Sequence, residues 1–383
     1  MKSTNVYRRS PRPDHPKSTT ATDVNKFDHT LPGLLWSNEN TGYPLQKVES
    51  INHGYISTNV TLRDYQKETV LWMKQQENLR TRETGGGVPG LNGYFWEKRS
   101  FADNTGDVYY YFPMGGHVLL TQPPVVSGGL LAEEMGLGKT IMSMELICSD
   151  ATTRPNGDLN GGTLIVLPVS LIAQWQTELE TKAPHLTVEC YYGETAFSYE
   201  IRTADSKTID ELIEYDVVLT TMGKLQELTT SRSRDNRRSL VLNKIKWHRL
   251  MIDECQFLKN DTTVIAKAAS AIDATHIWML SGTPLTNKLD DLRGELSLLR
   301  IWPFTLGTAS DAAWMDHFWT GFIKHPWDAK DEKSLPIIHN LMNAVSMRHS
   351  RLQVREADGS PLVDLPDRLE QFVSIKMEDE NIS

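Results

Sequence analysis

The stretch from Gly128 to Thr140 reads GGLLAEEMGLGKT and predicts a short apolar strand, a glycine-containing turn and the beginning of a helix. Glycines let such a turn curl until its N–H groups and the helix N-terminus point at a phosphate chain. Lys139 then reaches the β- and γ-phosphates, and the Thr140 hydroxyl ligates Mg²⁺. Glu133 stands where the usual pattern has its first glycine. The predicted nucleotide-binding residues of this loop are Met135, Gly136, Leu137, Gly138, Lys139 and Thr140.

Composition and charge exclude several classes of protein. The 383 residues are 39% hydrophobic with a net charge of −9, which suits two or three structural units without a generally basic surface. No apolar run approaches the ~20 residues of a membrane span, so we expect no membrane association. Cys148, Cys190 and Cys255 are too far apart in sequence to indicate a disulfide framework or a zinc site. We therefore expect an intracellular, reducing compartment.

Apolar runs alternate with helix-like stretches from residue 128 onward. The predicted strands are 128–132, 163–168, 187–192, 216–220, 249–252 and 276–280, and the predicted helices include 139–149, 170–181, 208–214 and 263–272. Such alternation is typical of a parallel sheet covered on both faces, whose ligands bind beyond the carboxyl ends of the strands. The sequence therefore predicts an α/β fold.

The flanking regions differ in character. Residues 1–55 are polar and predict a disordered or loosely attached arm. Residues 61–73 have helical periodicity, and the aromatic run 109–112, inside an insertion over 80–127, predicts a hairpin strand. Two apolar stripes after residue 305 predict packed helices: Trp314, Phe318 and Phe322, and then Ile338, Leu341, Met342 and Val345. We expect one lobe over 56–305, a helical appendage over 306–350 and a linker over 351–383.

A second motif supplies acidic residues. The sequence from Arg249 to Gln256 reads RLMIDECQ, an apolar strand that ends in two carboxylates. Asp253 is placed to hold Mg²⁺ directly or through water, and Glu254 to orient or deprotonate an attacking water. Exposed acids at an ordinary strand end are the alternative interpretation. The phosphate-binding loop upstream favours the catalytic interpretation.

These two motifs, with Gln66 and the segment LSGTPLTN over 280–287, resemble superfamily-two helicases and, more narrowly, the Swi/Snf family of DNA-dependent ATPases. The resemblance covers roughly 60–383 and includes LRDYQ at 62–66, the stretches 164–179 and 216–221, and Asp-Glu-Cys-Gln in place of a DEAH box. An acidic residue at 133 is usual in that family. The resemblance implies a RecA-like lobe with a helical Swi/Snf-type appendage, ATP and Mg²⁺ as cofactors, and adenine pairing by Gln66.

Three shorter stretches resemble the Rad-five or helicase-like transcription factor branch: FWE at 95–97, LRIWPF at 299–304 and RHSR at 348–351, which precedes Leu365-Pro366. Members of that branch act in DNA-damage tolerance. The resemblance thus implies a nuclear protein of chromatin remodelling or DNA repair type, with chromatin or repair proteins as possible partners.

Duplex DNA is the partner that the resemblance implies. Phosphate contacts are expected from Ser170, Thr220, Thr221 and Thr283, and the segment with Ser281 and Gly282 would couple nucleotide state to the grip on DNA. A basic group consists of Arg232, Arg234, Arg237, Arg238, Lys244, Lys246 and Arg249. These side chains either contact phosphates or belong to a solvated loop.

The family also needs a second RecA-like lobe that carries arginine fingers, and no second alternation follows residue 351. We therefore expect either a fragment or a single-lobe product, with the second lobe supplied in cis or in trans. Two functions stay open: the N-terminal motor lobe of an ATP-dependent DNA translocase, and a non-catalytic module that binds ATP or DNA. Cys255 is expected to be buried rather than reactive, and no metal beyond Mg²⁺ is predicted.

Overall fold

A computed structural model describes residues 56–57, 59–78, 96–102, 106–112, 116–120, 126–150, 160–192, 209–230, 241–258, 263–283, 289–301, 317–331, 334–351, 353–354 and 359–363. The chain divides into a large unit, Phe27–Ser350, and a small one formed by Met1–Lys26 and Arg351–Ser383. In the small unit Val354 pairs with Pro361 in an isolated antiparallel bridge. The predicted arm over 1–55 lies outside the described residues.

The large unit is built on a seven-stranded parallel sheet. Its strands are β4 (Gly128–Leu131), β5 (Asn160–Leu167), β6 (Val188–Cys190), β7 (Val217–Thr221), β8 (Lys246–Asp253), β9 (Ala274–Leu280) and β10 (Ser346–Met347), in the order β10-β4-β9-β8-β5-β7-β6. A separate antiparallel sheet contains β1 (Glu97–Ser100), β2 (Val108–Phe112) and β3 (His117–Leu119). The aromatic run 109–112 therefore forms the predicted hairpin strand.

Helices connect most of the parallel strands. They are α1 (Asp64–Asn78), α2 (Lys139–Asp150), α3 (Val169–Lys182), α4 (Ile209–Leu212), α5 (Met222–Thr230), α6 (Val241–Lys244), α7 (Val264–Ser270), α8 (Asp290–Leu298), α9 (His325–Asp328) and α10 (Ser334–Val345). A short 3-10 helix spans Cys255–Leu258, and a π-helix spans Trp319–Lys324. None of the helices in the described part of the chain has the length and apolar character to cross a membrane.

The sheet has an apolar layer on each face, as the near-continuous hydrophobic strands predict. Along β5, Leu164 and Val166 contribute to one buried cluster, whereas Ile165 and Leu167 contribute to the other. The helices α1, α2 and α3 cover the second cluster, and α7, α8 and α10 cover the first. Both faces are therefore buried, which confirms the predicted α/β class.

The chain after residue 305 is mostly helical but returns to the sheet. Phe318 is buried and stacks on Phe322, with ring centroids 5.4 Å apart. The predicted stripe of Ile338, Leu341, Met342 and Val345 is buried, while Trp314 lies outside the described residues. Ser346 and Met347 then pair with Leu130 and Leu131 as the edge strand β10. The predicted appendage over 306–350 thus ends in a strand of the lobe.

A buried ion pair joins α1 to the middle of the sheet. The Arg249 side chain is 1% exposed, and its Nε and Nη2 each donate to a Glu77 carboxylate oxygen over 2.6 Å. Trp278 Nε1 donates to the same carboxylate over 2.7 Å. Burial raises the pKa of Glu77, but the Arg249 guanidinium outweighs it and holds this pKa below its usual value. Arg249 is therefore a structural residue, which corrects its place in the basic group.

Two histidines lie beside this ion pair. Glu77, His248 and His276 present potential metal-ligating atoms within 4.8 Å of one another. Both carboxylate oxygens of Glu77 already accept hydrogen bonds from Arg249, whose positive charge disfavours a cation. We therefore assign no metal to this cluster.

Candidate nucleotide site

The loop between β4 and α2 has the backbone geometry that its glycines permit. Gly136 and Gly138 have φ angles of 86° and 92°, a region that residues with a Cβ rarely adopt. A Cβ at Gly138 would lie 2.5 Å from Gln66 Nε2. Lys139 and Thr140 follow as the first two residues of α2. The loop therefore leads directly into a helix N-terminus, as the sequence predicts.

Lys139 lies inside the loop and faces the acidic motif. Its Nζ donates to the Glu133 carbonyl oxygen over 2.9 Å. Burial lowers the pKa of Lys139, and the carboxylates of Asp253, Glu133 and Glu254 oppose that shift. The ammonium group is therefore close to three negative groups and partly shielded from water, where its charge acts strongly on an anion.

Asp253 and Glu254 occupy the carboxyl end of β8. Asp253 Oδ2 accepts from Trp175 Nε1, and Oδ1 accepts from the Glu254 N–H, both over 2.9 Å. Burial raises the pKa of Asp253. Glu254 has a φ of 52°, a left-handed conformation that costs a non-glycine residue ~1–3 kcal/mol. This turn directs the chain away from the sheet immediately after the two acids.

Gln256 links the acidic motif to the segment that follows β9. Its Nε2 donates to Glu254 Oε2 over 2.6 Å, and its Oε1 accepts from Ser281 Oγ over 2.8 Å. Ser281 Oγ also accepts from the Thr283 N–H over 3.1 Å. The sequence predicts the acidic motif as a whole but does not single out Gln256 as the connecting residue.

Gln66 lies against the glycine loop. Its Nε2 donates to the Leu137 carbonyl over 3.1 Å, and its Oε1 accepts from the Arg63 N–H over 2.9 Å. One N–H and one lone pair of the amide are left for a base. Tyr65 Oη donates to the same Leu137 carbonyl over 2.9 Å. Tyr65 belongs to the predicted helical stretch 61–73 and to LRDYQ at 62–66, and neither pattern predicts its contact with the loop.

The outer side of the loop is solvent-exposed. Met135 is 63% exposed, whereas Leu137 is buried. A Cβ at Gly282 would lie 2.8 Å from Met135 Cγ and 3.5 Å from Lys139 Nζ. Gly282 therefore lets the segment after β9 approach the loop closely.

The predicted DNA-contacting residues differ in their accessibility. Ser170 and Thr283 are exposed, at the start of α3 and after β9. Thr220 Oγ1 is buried and donates to the Tyr191 carbonyl over 2.6 Å, and Thr221 Oγ1 accepts from the Lys224 N–H. The Thr220 hydroxyl is thus engaged inside the lobe, which argues against the phosphate contact predicted for it, whereas the contact predicted for Thr221 stays a prediction. Arg232, Arg234, Arg237 and Arg238 lie outside the described residues, and Lys244 and Lys246 are exposed.

The three cysteines are poor nucleophiles. Burial raises the pKa of Cys148 to about 12 and that of Cys190 to about 11. Cys255 is fully buried, which raises its pKa well above the ordinary value, and its Sγ lies 3.7 Å from Glu295 Oε1. We therefore assign Cys255 a packing role beside the acids.

A family model for the SNF2-related domain matches residues 65–383, most of the chain. The chain belongs to this family. The match includes the glycine loop, the acidic motif and the segment after β9, and it confirms the resemblance to Swi/Snf-type ATPases.

Curated relatives of this SNF2-related chain include DNA repair proteins. RAD5B of Arabidopsis thaliana is 30% identical over 85% of this chain and 26% of its own length. RAD5 of Saccharomyces cerevisiae is 28% identical over 80% of this chain and 30% of its own length. The chain thus spans less than a third of these relatives, and its similarity to them confirms the predicted branch.

Solved structures support the fold. The Sulfolobus solfataricus SWI2/SNF2 ATPase core in complex with double-stranded DNA has a TM-score of 0.52 and 22% identity, over 81% of this chain and 48% of that one. The ATPase core domain of the same archaeon gives the same TM-score over 82% of this chain. These similarities confirm a RecA-like α/β lobe.

Proposed function

We propose that this chain is the N-terminal motor lobe of an ATP-dependent DNA translocase that acts in DNA repair or chromatin remodelling. The observation that carries the proposal is the convergence of Lys139, Asp253 and Glu254 at the carboxyl edge of the sheet, directly beside a glycine loop. A binding module that never hydrolyses ATP would not need Glu254. The left-handed backbone conformation of Glu254, with a φ of 52°, is a kind of strain that is typical of functional sites.

The residues of the site fit a magnesium-bound nucleoside triphosphate. A side chain at Gly138 would collide with Gln66, so the glycine keeps this part of the loop free for a ligand. Thr140 and Asp253 offer the hard oxygen ligands that Mg²⁺ prefers. When bound, Mg²⁺ would neutralise charge on the β- and γ-phosphates. Lys139 would exchange its bond with the Glu133 carbonyl for the phosphates, and Glu254 would orient and deprotonate the attacking water.

The chain of contacts through Gln256 offers a route from hydrolysis to DNA. Any displacement of Glu254 must change the hydrogen bond of Gln256, and through it the position of Ser281 and Thr283. We propose that this segment, with the exposed Ser170, holds the phosphates of one strand of duplex DNA. A complex with double-stranded DNA is known for the archaeal structure, which supports this partner.

The remaining partners follow from the family. We propose that a second RecA-like lobe completes the ATP site, in the same polypeptide or in trans, and that ATP closes the two lobes. The DNA repair proteins among the relatives support a nuclear location and repair or chromatin proteins as further partners.

Calorimetric titration with Mg-ATP and Mg-ADP tests nucleotide binding. Lys139→Ala should weaken binding by about 10- to 100-fold, because a charge-assisted hydrogen bond contributes ~1.5–3 kcal/mol. Lys267→Ala, which removes an exposed lysine of α7, is the matched control and should bind as the unmodified chain does. Equal affinities for all three proteins would refute the assigned site.

A further inference from the structure

The buried carboxylate of Glu133 contacts three polar atoms, and it occupies the position where the general phosphate-binding loop has its first glycine. Glu133 is 0% exposed. Its Oε1 accepts from Thr69 Oγ1 over 3.1 Å and lies 2.8 Å from His349 Nδ1, and its Oε2 accepts from the His349 N–H over 2.8 Å. The side chain therefore binds α1 and the segment after β10 at once.

The segment 347–349 also holds the backbone on both sides of Glu133. The Ala132 N–H donates to the Met347 carbonyl over 2.8 Å, and the Glu134 N–H donates to the His349 carbonyl over 3.2 Å. Arg348 Nη1 donates to the Ala132 carbonyl over 2.7 Å. Three consecutive loop residues are thus fixed by three consecutive residues of a distant part of the sequence. His349 is the member of this segment that also binds the Glu133 side chain.

Charged groups from several elements lie around His349. Glu133 faces it from the loop, and Glu68 interacts with it from α1. The Tyr65 ring packs at 5.4 Å between centroids, and Arg348 precedes it on its own segment. The Lys139 ammonium group also interacts with the Glu133 carboxylate, and with those of Asp253 and Glu254. The Glu133 carboxylate, 2.8 Å from Nδ1, forms an ion pair with the charged imidazolium but only a neutral hydrogen bond with the uncharged ring.

We infer that Glu133 and His349 are positioning residues for the nucleotide site, and that protonated His349 holds the loop in its binding geometry. The route is short: His349 fixes the Glu133 side chain, and the Glu133 carbonyl holds Lys139 Nζ. Because histidine changes charge near neutral pH, the strength of this support depends on pH. The inference rests on the proposed function, since it takes the loop as a nucleotide site.

The test is Mg-ADP affinity, measured by calorimetry near pH 6 and near pH 8.5 for matched variants. His349→Arg keeps a positive charge at this position at both pH values. The ratio of its affinity to that of the unmodified chain cancels the effect of nucleotide titration, because both proteins bind the same nucleotide. The unmodified chain should match His349→Arg near pH 6 and bind several-fold more weakly near pH 8.5. His349→Ala should bind several-fold more weakly at both pH values.

Two further variants separate positioning from simple destabilisation. His349→Gln can still donate to Glu133 but carries no charge, so it should resemble the unmodified chain near pH 8.5 at both pH values. His185→Ala removes an exposed histidine between α3 and β6 and should follow the unmodified chain throughout. A constant affinity ratio between the unmodified chain and His349→Arg, or unchanged binding by His349→Ala or His349→Gln near pH 6, would overturn the inference. Absence of nucleotide binding by the unmodified chain would instead refute the proposed function as well.

Discussion

Gln66 and Tyr65 donate to one carbonyl oxygen, that of Leu137, from neighbouring positions at the start of α1. Only Gln66 has a further N–H and a further lone pair that can face adenine. If it reads the base, ATP should bind better than GTP, and Gln66→Ala should remove most of that preference. The lost contacts correspond to ~1–3 kcal/mol, and competition titrations with both nucleotides measure the ratio.

Tyr65→Phe is the matched control for this prediction. It removes the other hydrogen bond to the Leu137 carbonyl without changing any group available to the base. It should therefore weaken ATP and GTP binding equally and leave their ratio unchanged. GTP competition as strong as that of ATP in the unmodified chain would contradict the role assigned to Gln66.

The residues that the sequence located best are those whose chemistry depends on local spacing. Lys139 lies at a helix start after glycines, and Asp253 and Glu254 lie at the end of an apolar strand, so short patterns were sufficient to find them. Gln256 and His349 acquire their roles from contacts with residues far away in sequence, such as Ser281 and Glu133. Local periodicity carries no information about those contacts, which explains why they were missed.

At the scale of elements, the Glu77–Arg249 pair is the main polar contact between α1 and the sheet. Arg249→Met should destabilise the fold by about 3–5 kcal/mol, since it leaves a buried carboxylate without its cation. Glu77 contributes stability above its unfolded-state pKa because Arg249 lowers the folded-state value. In the Arg249→Met variant the effect of burial is no longer opposed, so the pKa of Glu77 in the folded state rises above its usual value. The variant should therefore lose more stability near pH 7.5, where a buried carboxylate must ionise, than near pH 5.

Urea unfolding followed by circular dichroism at these two pH values checks the prediction. Arg99→Met is the control, because Arg99 pairs with Glu97 on the surface and should shift the midpoint little. A loss of stability for Arg249→Met that is equal at both pH values would show that the buried charge is not its cause.

The presence of a strand was predicted where the apolar pattern was long, although β5 and β8 each begin three residues before the predicted start, and it was missed where tertiary contacts decide. The runs in β5, β8 and β9 were recognised because strands buried on both faces are almost wholly apolar. The two residues of β10 lack such a pattern, and they are a strand only because β4 offers an open edge. Thr220 was assigned to DNA because a hydroxyl at a strand end looks accessible, whereas β7 buries it.

For the whole molecule, residues 1–383 alone should hydrolyse ATP slowly and with little stimulation by DNA. Charge that develops on the transferred phosphoryl group needs cations beyond Lys139 and Mg²⁺, and arginine fingers contribute roughly 10³–10⁵ in rate in related enzymes. Addition of a second RecA-like lobe of the family, covalently or in trans, should restore DNA-stimulated turnover. A phosphate-release assay with and without duplex DNA measures both.

Glu254→Gln gives the control for the reconstituted enzyme. It should abolish hydrolysis and leave the affinity for Mg-ATP unchanged, since the amide cannot accept a proton from water. Fast, DNA-stimulated hydrolysis by residues 1–383 without any addition would show that the site is complete within this chain.

The strand order has a consequence for the newly made polypeptide. Leu130 of β4 pairs with Met279 of β9 on one side and with Ser346 of β10 on the other. At synthesis rates of about 5–20 residues per second, the ribosome makes β9 and β10 on the order of 10 s or more after β4, so β4 has neither partner strand during that time. An apolar strand with two unpaired edges invites aggregation during that interval. Efficient production of this protein should therefore depend on chaperones that shield the first half of the sheet until the second half arrives.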